Sequence, residues 1–294
     1  LLFGMKYSFS HLISVLLVLM PLQNVASQVS VERSRVDVPI RHKGVRRVVN
    51  YDLTSSQVPA DFDGVCVAFL TDLHYKSRLD SVGLKSVSGL LQFLKPDIVL
   101  FGGDYQESCE SVGPLVEACT VWRAPLGMAG VMGNNDYERC TDIIRSTFEQ
   151  SGVKILEGSN MSIRRGDSEI FIAGARNDFS SREKAPSSTI QLPDTAFVIL
   201  LTHTPDYAED VDIANADVVL AGHTHGGQVT LFGLFAPVNP SHYGRKFLRG
   251  LCYNGTGVPV RVSRGLGTSR KKRRLLAPSE IVLLTLHWRS EETL

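Results

Sequence analysis

Short apolar runs in this chain repeatedly end in residues able to hold a metal ion. Residues 65–70 lead into Asp72-Leu73-His74, 97–101 into Gly102-Gly103-Asp104, and 127–132 into Gly133-Asn134-Asn135-Asp136. Further on, 197–201 leads into His203, and 217–220 into Gly222-His223-Thr224-His225-Gly226-Gly227. Singly these signals are weak, because an Asp-x-His triplet, a Gly-Asp turn or a lone His is common in any chain of this length. Two histidines at i and i+2 between glycines are stronger, and the ordered set at successive strand ends is highly specific. It contains Asp72, His74, Asp104, Asn134, His203, His223 and His225, an oxygen and nitrogen donor set without thiolate. Such donors suit Mn first, with Fe or Zn as alternatives, rather than a Cys-rich structural zinc site. These ligands are too many for one divalent ion and fit two if one carboxylate bridges. Two ions about 3.5–4 Å apart can hold a bridging hydroxide at neutral pH and stabilise the entering and leaving oxygens of a displacement at phosphorus.

An α/β architecture brings strand ends together, since ligands bind at the carboxyl ends of strands in open α/β sheets. The patterning fits that class. Residues 65–70 form a continuous apolar run, as strands covered on both faces do. Leu84, Val87, Leu90, Leu91 and Leu94 fall at helical spacing, and Pro96 closes that helix. Further strands are predicted at 97–101, 127–132, 169–173, 197–201, 217–220, 258–262 and 281–286, with a helix carrying Ile143, Ile144 and Phe148 on one face. No internal repeat or low-complexity linker interrupts this pattern. The reading is one catalytic domain over 65–294, preceded by a lead-in segment at 28–64.

Composition narrows the functional class. The chain has 294 residues, 43% hydrophobic and 21% charged, which excludes disorder and supports a core without staples. Its 31 Lys plus Arg against 30 Asp plus Glu give a net charge of +1, so no nucleic-acid partner is expected. Five cysteines with no CxxC indicate neither a disulfide framework nor a zinc ribbon. At the N-terminus, Lys6, an apolar run at 12–22 and small residues at 25–27 read as a signal peptide or membrane anchor over 1–27. The expected location is the cell envelope, exported or anchored. If exported, some cysteines become free to pair. Arg33, Arg35, Arg41, Lys43, Arg46 and Arg47 after the run give the alternative of an anchored domain on the cytoplasmic face of the inner membrane.

The order Asp-x-His, Gly-Asp, Gly-Asn-x-Asp, His, Gly-His-x-His resembles the calcineurin-like metallophosphoesterase superfamily. Gly222 to Gln228, the stretch Val262-Ser263-Arg264-Gly265-Leu266-Gly267, and Arg274, Pro278 and Glu280 are similar to its YkuE-like branch. The resemblance covers residues 59–286. It implies an α/β/β/α sandwich of two mixed sheets flanked by helices. It also implies one ion on Asp72, His74 and His225, a second on Asn134, His203 and His223, and Asp104 bridging them.

One position departs from the pattern: Asn135 stands where the family usually has His. Asn donates hydrogen bonds but delivers no proton, so good leaving groups are expected. The expected activity is hydrolysis of a phosphodiester or pyrophosphate, with a lipid- or nucleotide-lipid-linked substrate and membrane association. Catalytic roles are expected for Asn135, His225 and Asp104, and substrate contacts for Asn135, His242 and Arg274. His242, in the apolar stretch 231–253, is a candidate acid in place of the missing His. The basic run at 270–274 reads either as solvated surface charge or as an attractor for an anionic substrate or lipid. Alternatives are UDP-2,3-diacylglucosamine pyrophosphatase activity in lipid A synthesis, or a non-catalytic metal-binding interaction module.

Overall fold

The computed structural model describes residues 29–36, 38, 44–176, 186–232 and 235–290. The segment read as a signal peptide or anchor lies outside them. Among the described residues, no helix is long and apolar enough to cross a membrane.

The chain forms two mixed sheets. The first holds β1 (Ser30–Ser34), β2 (Arg47–Ser55), β3 (Cys66–Leu70), β4 (Ile98–Phe101), β5 (Gly127–Gly130), β6 (Lys154–Ile155) and β13 (Glu280–Trp288), in the order β1-β2-β13-β3-β4-β5-β6. The second holds β7 (Ser159–Arg165), β8 (Ser168–Gly174), β9 (Val198–Thr202), β10 (Val218–Ala221), β11 (Gly250–Tyr253) and β12 (Pro259–Val262), in the order β11-β12-β10-β9-β8-β7. Strands β3, β4, β5 and β6 run parallel, as do β8, β9, β10 and β12. Both faces of these strands are covered, which explains their unbroken apolar sequences.

Three apolar layers follow. Phe69, Leu100, Val131, Ile172, Ile199 and Leu220 pack between the sheets. The outer face of the first sheet is covered by α1 (Ser81–Leu94), α2 (Val112–Cys119) and α4 (Thr141–Gln150), the last preceded by the short α3 (Asn134–Glu138). The outer face of the second carries α5 (Tyr207–Asp210) and Phe247. Helix α1 starts at Asp80, whose Oδ1 accepts from Gly83 N at 2.9 Å, and ends at Lys95 in the left-handed region. In α4, Ile144 and Phe148 point inward, whereas Ile143 is half-exposed, because neighbours in sequence on a helix cannot share a face.

The expected strands all form, within a residue or two of their expected limits. The 28–64 segment is more than a lead-in. It supplies β1 and β2, and β2 pairs in parallel with β13 over nine residues, so the sheet of the catalytic domain begins near Ser30 rather than at 65.

Candidate metal centre

The ligand residues sit on the turns that leave β3, β4, β5, β9 and β10, at one shared edge of the two sheets. Their backbone is unusual. Asp72, His74, Asp104, His223 and His225 have φ of 50°, 38°, 55°, 68° and 51°. An L-residue enters that left-handed region at a cost of about 1–2 kcal/mol, so its surroundings must impose it. Here they do: Asp72 N donates to Gly103 O at 2.9 Å and His74 N to Asp104 O at 3.0 Å, stitching the first two turns together. His223 N donates to both oxygens of Asp72, at 3.1 and 3.0 Å, tying in the second sheet. The turns approach so closely that a Cβ on Gly103 (φ 86°) would lie 2.3 Å from Gly133 N.

Two donor clusters result: Asp72, His74 and His225 in one, and Asp104, His203 and His223 in the other. Asp104 lies between them, with Oδ2 at 3.2 Å from His74 Nε2 and 3.4 Å from His203 Nε2. His225 Nε2 is 3.5 Å from Asp72 Oδ1, and His223 Nδ1 is 3.1 Å from His203 Nε2. The far ring nitrogens are engaged elsewhere. His74 Nδ1 faces Glu107 Oε1 at 2.8 Å and His203 Nδ1 faces Gly102 O at 2.8 Å, which turns each Nε2 to the centre. Asn134 Oδ1 is buried without a hydrogen-bond partner, and so is His74 Nε2, whose approach to Asp104 lacks hydrogen-bond geometry. Buried donors and acceptors are rarely left unpaired. An orphaned His74 Nε2 among carboxylates and imidazoles fits a divalent cation, and Asn134 Oδ1 is a further unpartnered oxygen on the neighbouring turn.

The electrostatics agree. Burial disfavours charge on both His74 and His203, yet Asp104 and its neighbours outweigh it, raising His74 to about 10 and His203 to about 9. Burial also works against the Asp104 carboxylate, but His203 and His74 hold it well below the usual carboxylate range. His223 is pushed down to about 3, by burial and then by His203. Burial, His74 and Arg274 keep His225 neutral as well. Each cluster therefore carries one imidazolium that a cation must displace. Because the protonated ring cannot ligate, the affinity of each ion is expected to rise about tenfold per pH unit from pH 6. The rise should flatten near 9 at the His203 cluster and near 10 at the His74 cluster. Metal titrations by calorimetry in two buffers, which count released protons, check this.

The remaining expected site residues take varied places. Asn135 N and Nδ2 donate to Asp104 Oδ1 and Oδ2 at 3.0 and 2.6 Å, so Asn135 grips the central carboxylate. The Arg274 guanidinium, expected to meet substrate, is surrounded by the carbonyls of His225, Arg264, Gly267 and Ala277, and its Nη2 lies 3.3 Å from His225 Nδ1. Its place in the fold is to hold the His225 turn. His242 is exposed, and no hydrogen bond or ion pair joins its side chain to the ligand set among the described residues. Its loop is anchored instead by Asp206, which accepts from His242 N at 2.8 Å.

Three supporting carboxylates had no role assigned from sequence. Asp136 accepts from Gly133 N, Asp104 N and Tyr105 N at 2.8, 2.7 and 3.0 Å, fixing two ligand turns at once. Its place in the Gly-Asn-x-Asp motif was the available signal. Glu107 orients His74. Glu280, at the start of β13, pairs with Arg261 Nη2 and Arg264 Nη1, both at 2.7 Å, and secures the loop that approaches Asp72. There Leu266 N and Gly267 N donate to Asp72 O at 3.2 and 2.7 Å.

A disulfide joins Cys109 to Cys140 across a separation of 31 residues, while Cys66, Cys119 and Cys252 are free. The absence of CxxC spacing gave no hint of it. It links the turn bearing Asp104 and Glu107 to the one bearing Asn134, Asn135 and Asp136. Closing a loop of that length constrains the unfolded chain by about 3–4 kcal/mol in the chain-entropy model. Cys109→Ser/Cys140→Ser is expected to lose a similar amount in urea unfolding.

A profile of the Calcineurin-like phosphoesterase family matches residues 67–227, the stretch holding every ligand position. The chain belongs to that family and is a metal-dependent phosphoester hydrolase. Among its relatives, it is 30% identical over 245 residues to the uncharacterized metallophosphoesterase YkuE of Bacillus subtilis (strain 168), covering 80% of this chain and 84% of the relative. It is 26% identical to an uncharacterized metallophosphoesterase of Aquifex aeolicus (strain VF5), covering 82% of this chain and 91% of that one. A structural comparison returns a 5'-nucleotidase precursor from Thermus thermophilus at TM-score 0.44 and 13% identity, covering 75% of this chain and 54% of that one. That likeness is too distant to bear on activity.

Proposed function

We propose that the protein is a binuclear phosphodiesterase or pyrophosphatase that takes a substrate with good leaving groups. The observation that carries this reading is the pair of donor clusters that meet at Asp104; Asn134 Oδ1, buried without a hydrogen-bond partner on the turn after β5, is a further donor left available. Asp72, His74 and His225 would hold one ion, Asn134, His203 and His223 the other, and Asp104 both. When bound, such a pair supplies a water-derived nucleophile at neutral pH and Lewis acidity toward the phosphoryl oxygens. Mn is the ion proposed, with Fe or Zn as alternatives.

The chain's own residues set the rest. The strained, cross-linked turns fix the donors before any ligand arrives, so little reorganisation accompanies binding. Asn135 brings an amide to the centre and has no proton to give a departing alkoxide. A phosphate or aryloxide leaving group needs none. A cavity of about 500 Å³ lies on the far side of Arg274, lined by Arg46, Arg78 and Leu276 among others. A lipid- or nucleotide-lipid-linked ester fits these requirements; UDP-2,3-diacylglucosamine is the alternative for a domain that faces the cytoplasm. The Cys109–Cys140 bridge supports an oxidising compartment, hence export to the cell envelope.

The test is the ratio of aryl phosphodiester to alkyl phosphomonoester hydrolysis by the Mn-loaded protein. The expected result is a clear diester preference. Asn135→His should then raise monoester hydrolysis by about ten- to a hundredfold by restoring a general acid. A wild-type preference for simple alkyl monoesters overturns the reading.

A further inference from the structure

Large apolar side chains that face solvent gather in one region near the metal centre. Leu231, Phe232, Phe235, Leu275 and Leu276 are each more than half exposed, Phe232 at 89%. Backbone pairing holds them side by side. Leu231 and Phe235 exchange hydrogen bonds of 2.8 and 3.3 Å, which sets these two residues beside each other. Thr230 N donates to Leu275 O at 3.0 Å, and Leu275 N to Gln228 O at 2.9 Å. Phe232 stands at φ 52°, a conformation that a bulky residue adopts only under constraint. The fold thus imposes an aromatic ring on water.

Beside this ridge run Arg270, Lys271, Lys272 and Arg273, all exposed. No ion pair among the described residues includes any of them. Gln228 fastens the two features together: its Nε2 donates to Ser269 O and Lys271 O at 3.1 and 3.0 Å, and its Oε1 accepts from Ser269 N at 2.9 Å. Gln228 is also bound to the centre, its N donating to His225 O at 3.0 Å.

We infer that this face docks on an anionic lipid bilayer, with the ridge around Phe232 entering the interface and residues 270–273 meeting acidic headgroups. Charge complementarity selects this occupant: four unpaired cations flank a protruding apolar ridge, the amphipathic arrangement that lies in a membrane interface. Each cation near an anionic surface strengthens partitioning about fivefold, an effect that salt screens. A peptide partner would call for a groove rather than a ridge. Docking would set the metal centre close to the headgroups. The inference stands whichever phosphoester is cleaved.

The experiment places a reporter on the ridge itself, so that binding through the N-terminal segment cannot imitate it. Full-length, Mn-loaded Phe232→Trp is mixed with vesicles of phosphatidylcholine containing one-third phosphatidylglycerol, with and without brominated acyl chains. The expected result is a blue shift and bromine quenching of the added indole, beyond the signal of Trp122 and Trp288. Lys271→Glu/Lys272→Glu in the same background, or 0.5 M salt, should reduce the apparent partition at least tenfold. Hydrolysis of a soluble aryl phosphodiester, unchanged in every variant, reports that the fold is intact. An indole at 232 that emits as in water while vesicles are present overturns the inference. So does a blue shift that grows with protein concentration and shows no bromine quenching, which assigns the face to a second copy of the chain.

Discussion

Asp104→Asn is expected to lower aryl phosphodiester hydrolysis by at least about a thousandfold, equivalent to about 4 kcal/mol of barrier. The carboxylate is the anion nearest to both clusters, within 3.4 Å of His74 Nε2 and His203 Nε2. An amide there removes the negative charge that the two proposed cations would share, and it turns a donor toward Asn135 Nδ2, which now donates to Oδ2 at 2.6 Å. Metal content should fall alongside activity, with circular dichroism unchanged. Retention of more than a tenth of wild-type activity would remove Asp104 from the bridging role.

The second large effect lies behind the site. Glu280 is almost fully buried and pairs with Arg261 and Arg264, which outweigh the burial that would otherwise raise its pKa and hold it below its usual value. Glu280→Gln keeps the shape but strands two guanidinium groups, one buried and one nearly so. Breaking a buried pair from one side costs about 3–5 kcal/mol. The expected result is a urea midpoint lowered accordingly at pH 7. The sign with pH follows from the lowered pKa: the contribution is present above the ordinary Glu range and lost as pH falls through the folded value. The difference between wild type and variant should therefore shrink in acid. By contrast, Glu157→Gln, at the partly exposed pair with Arg145, should cost no more than about 1 kcal/mol. Activity should also decline in Glu280→Gln, because the loop carrying Leu266 and Gly267 braces Asp72. If both variants unfold alike, the buried network does not support the site in the way described.

The α/β class and the strand ends were legible because parallel strands covered on both faces appear as unbroken apolar runs. The same strands carry their ligands at their carboxyl ends. The candidate ligand residues could be picked out for that reason, although their positive φ values could not: the strain is imposed by hydrogen bonds between turns far apart in sequence. β1 and β2 were missed as strands because 28–64 is rich in Arg and polar residues, and its pairing with β13 is long-range. Arg274 looked like a substrate contact from its place in a basic run. Only the folded chain shows four carbonyls converging on it. The Cys109–Cys140 bridge was equally silent, since nothing local pairs residues that distance apart. Asn135 departs from the family pattern in the sequence alone, but its grip on Asp104 emerges only in the folded chain, where the two turns meet.

The most direct test of the two-ion centre is a metal count. Full-length protein dialysed against excess Mn at pH 8, freed of loose ions and analysed for bound metal should hold two ions per chain. Its Asp104→Asn variant should hold at most one. A single ion per wild-type chain, with full diesterase activity, would contradict the binuclear account.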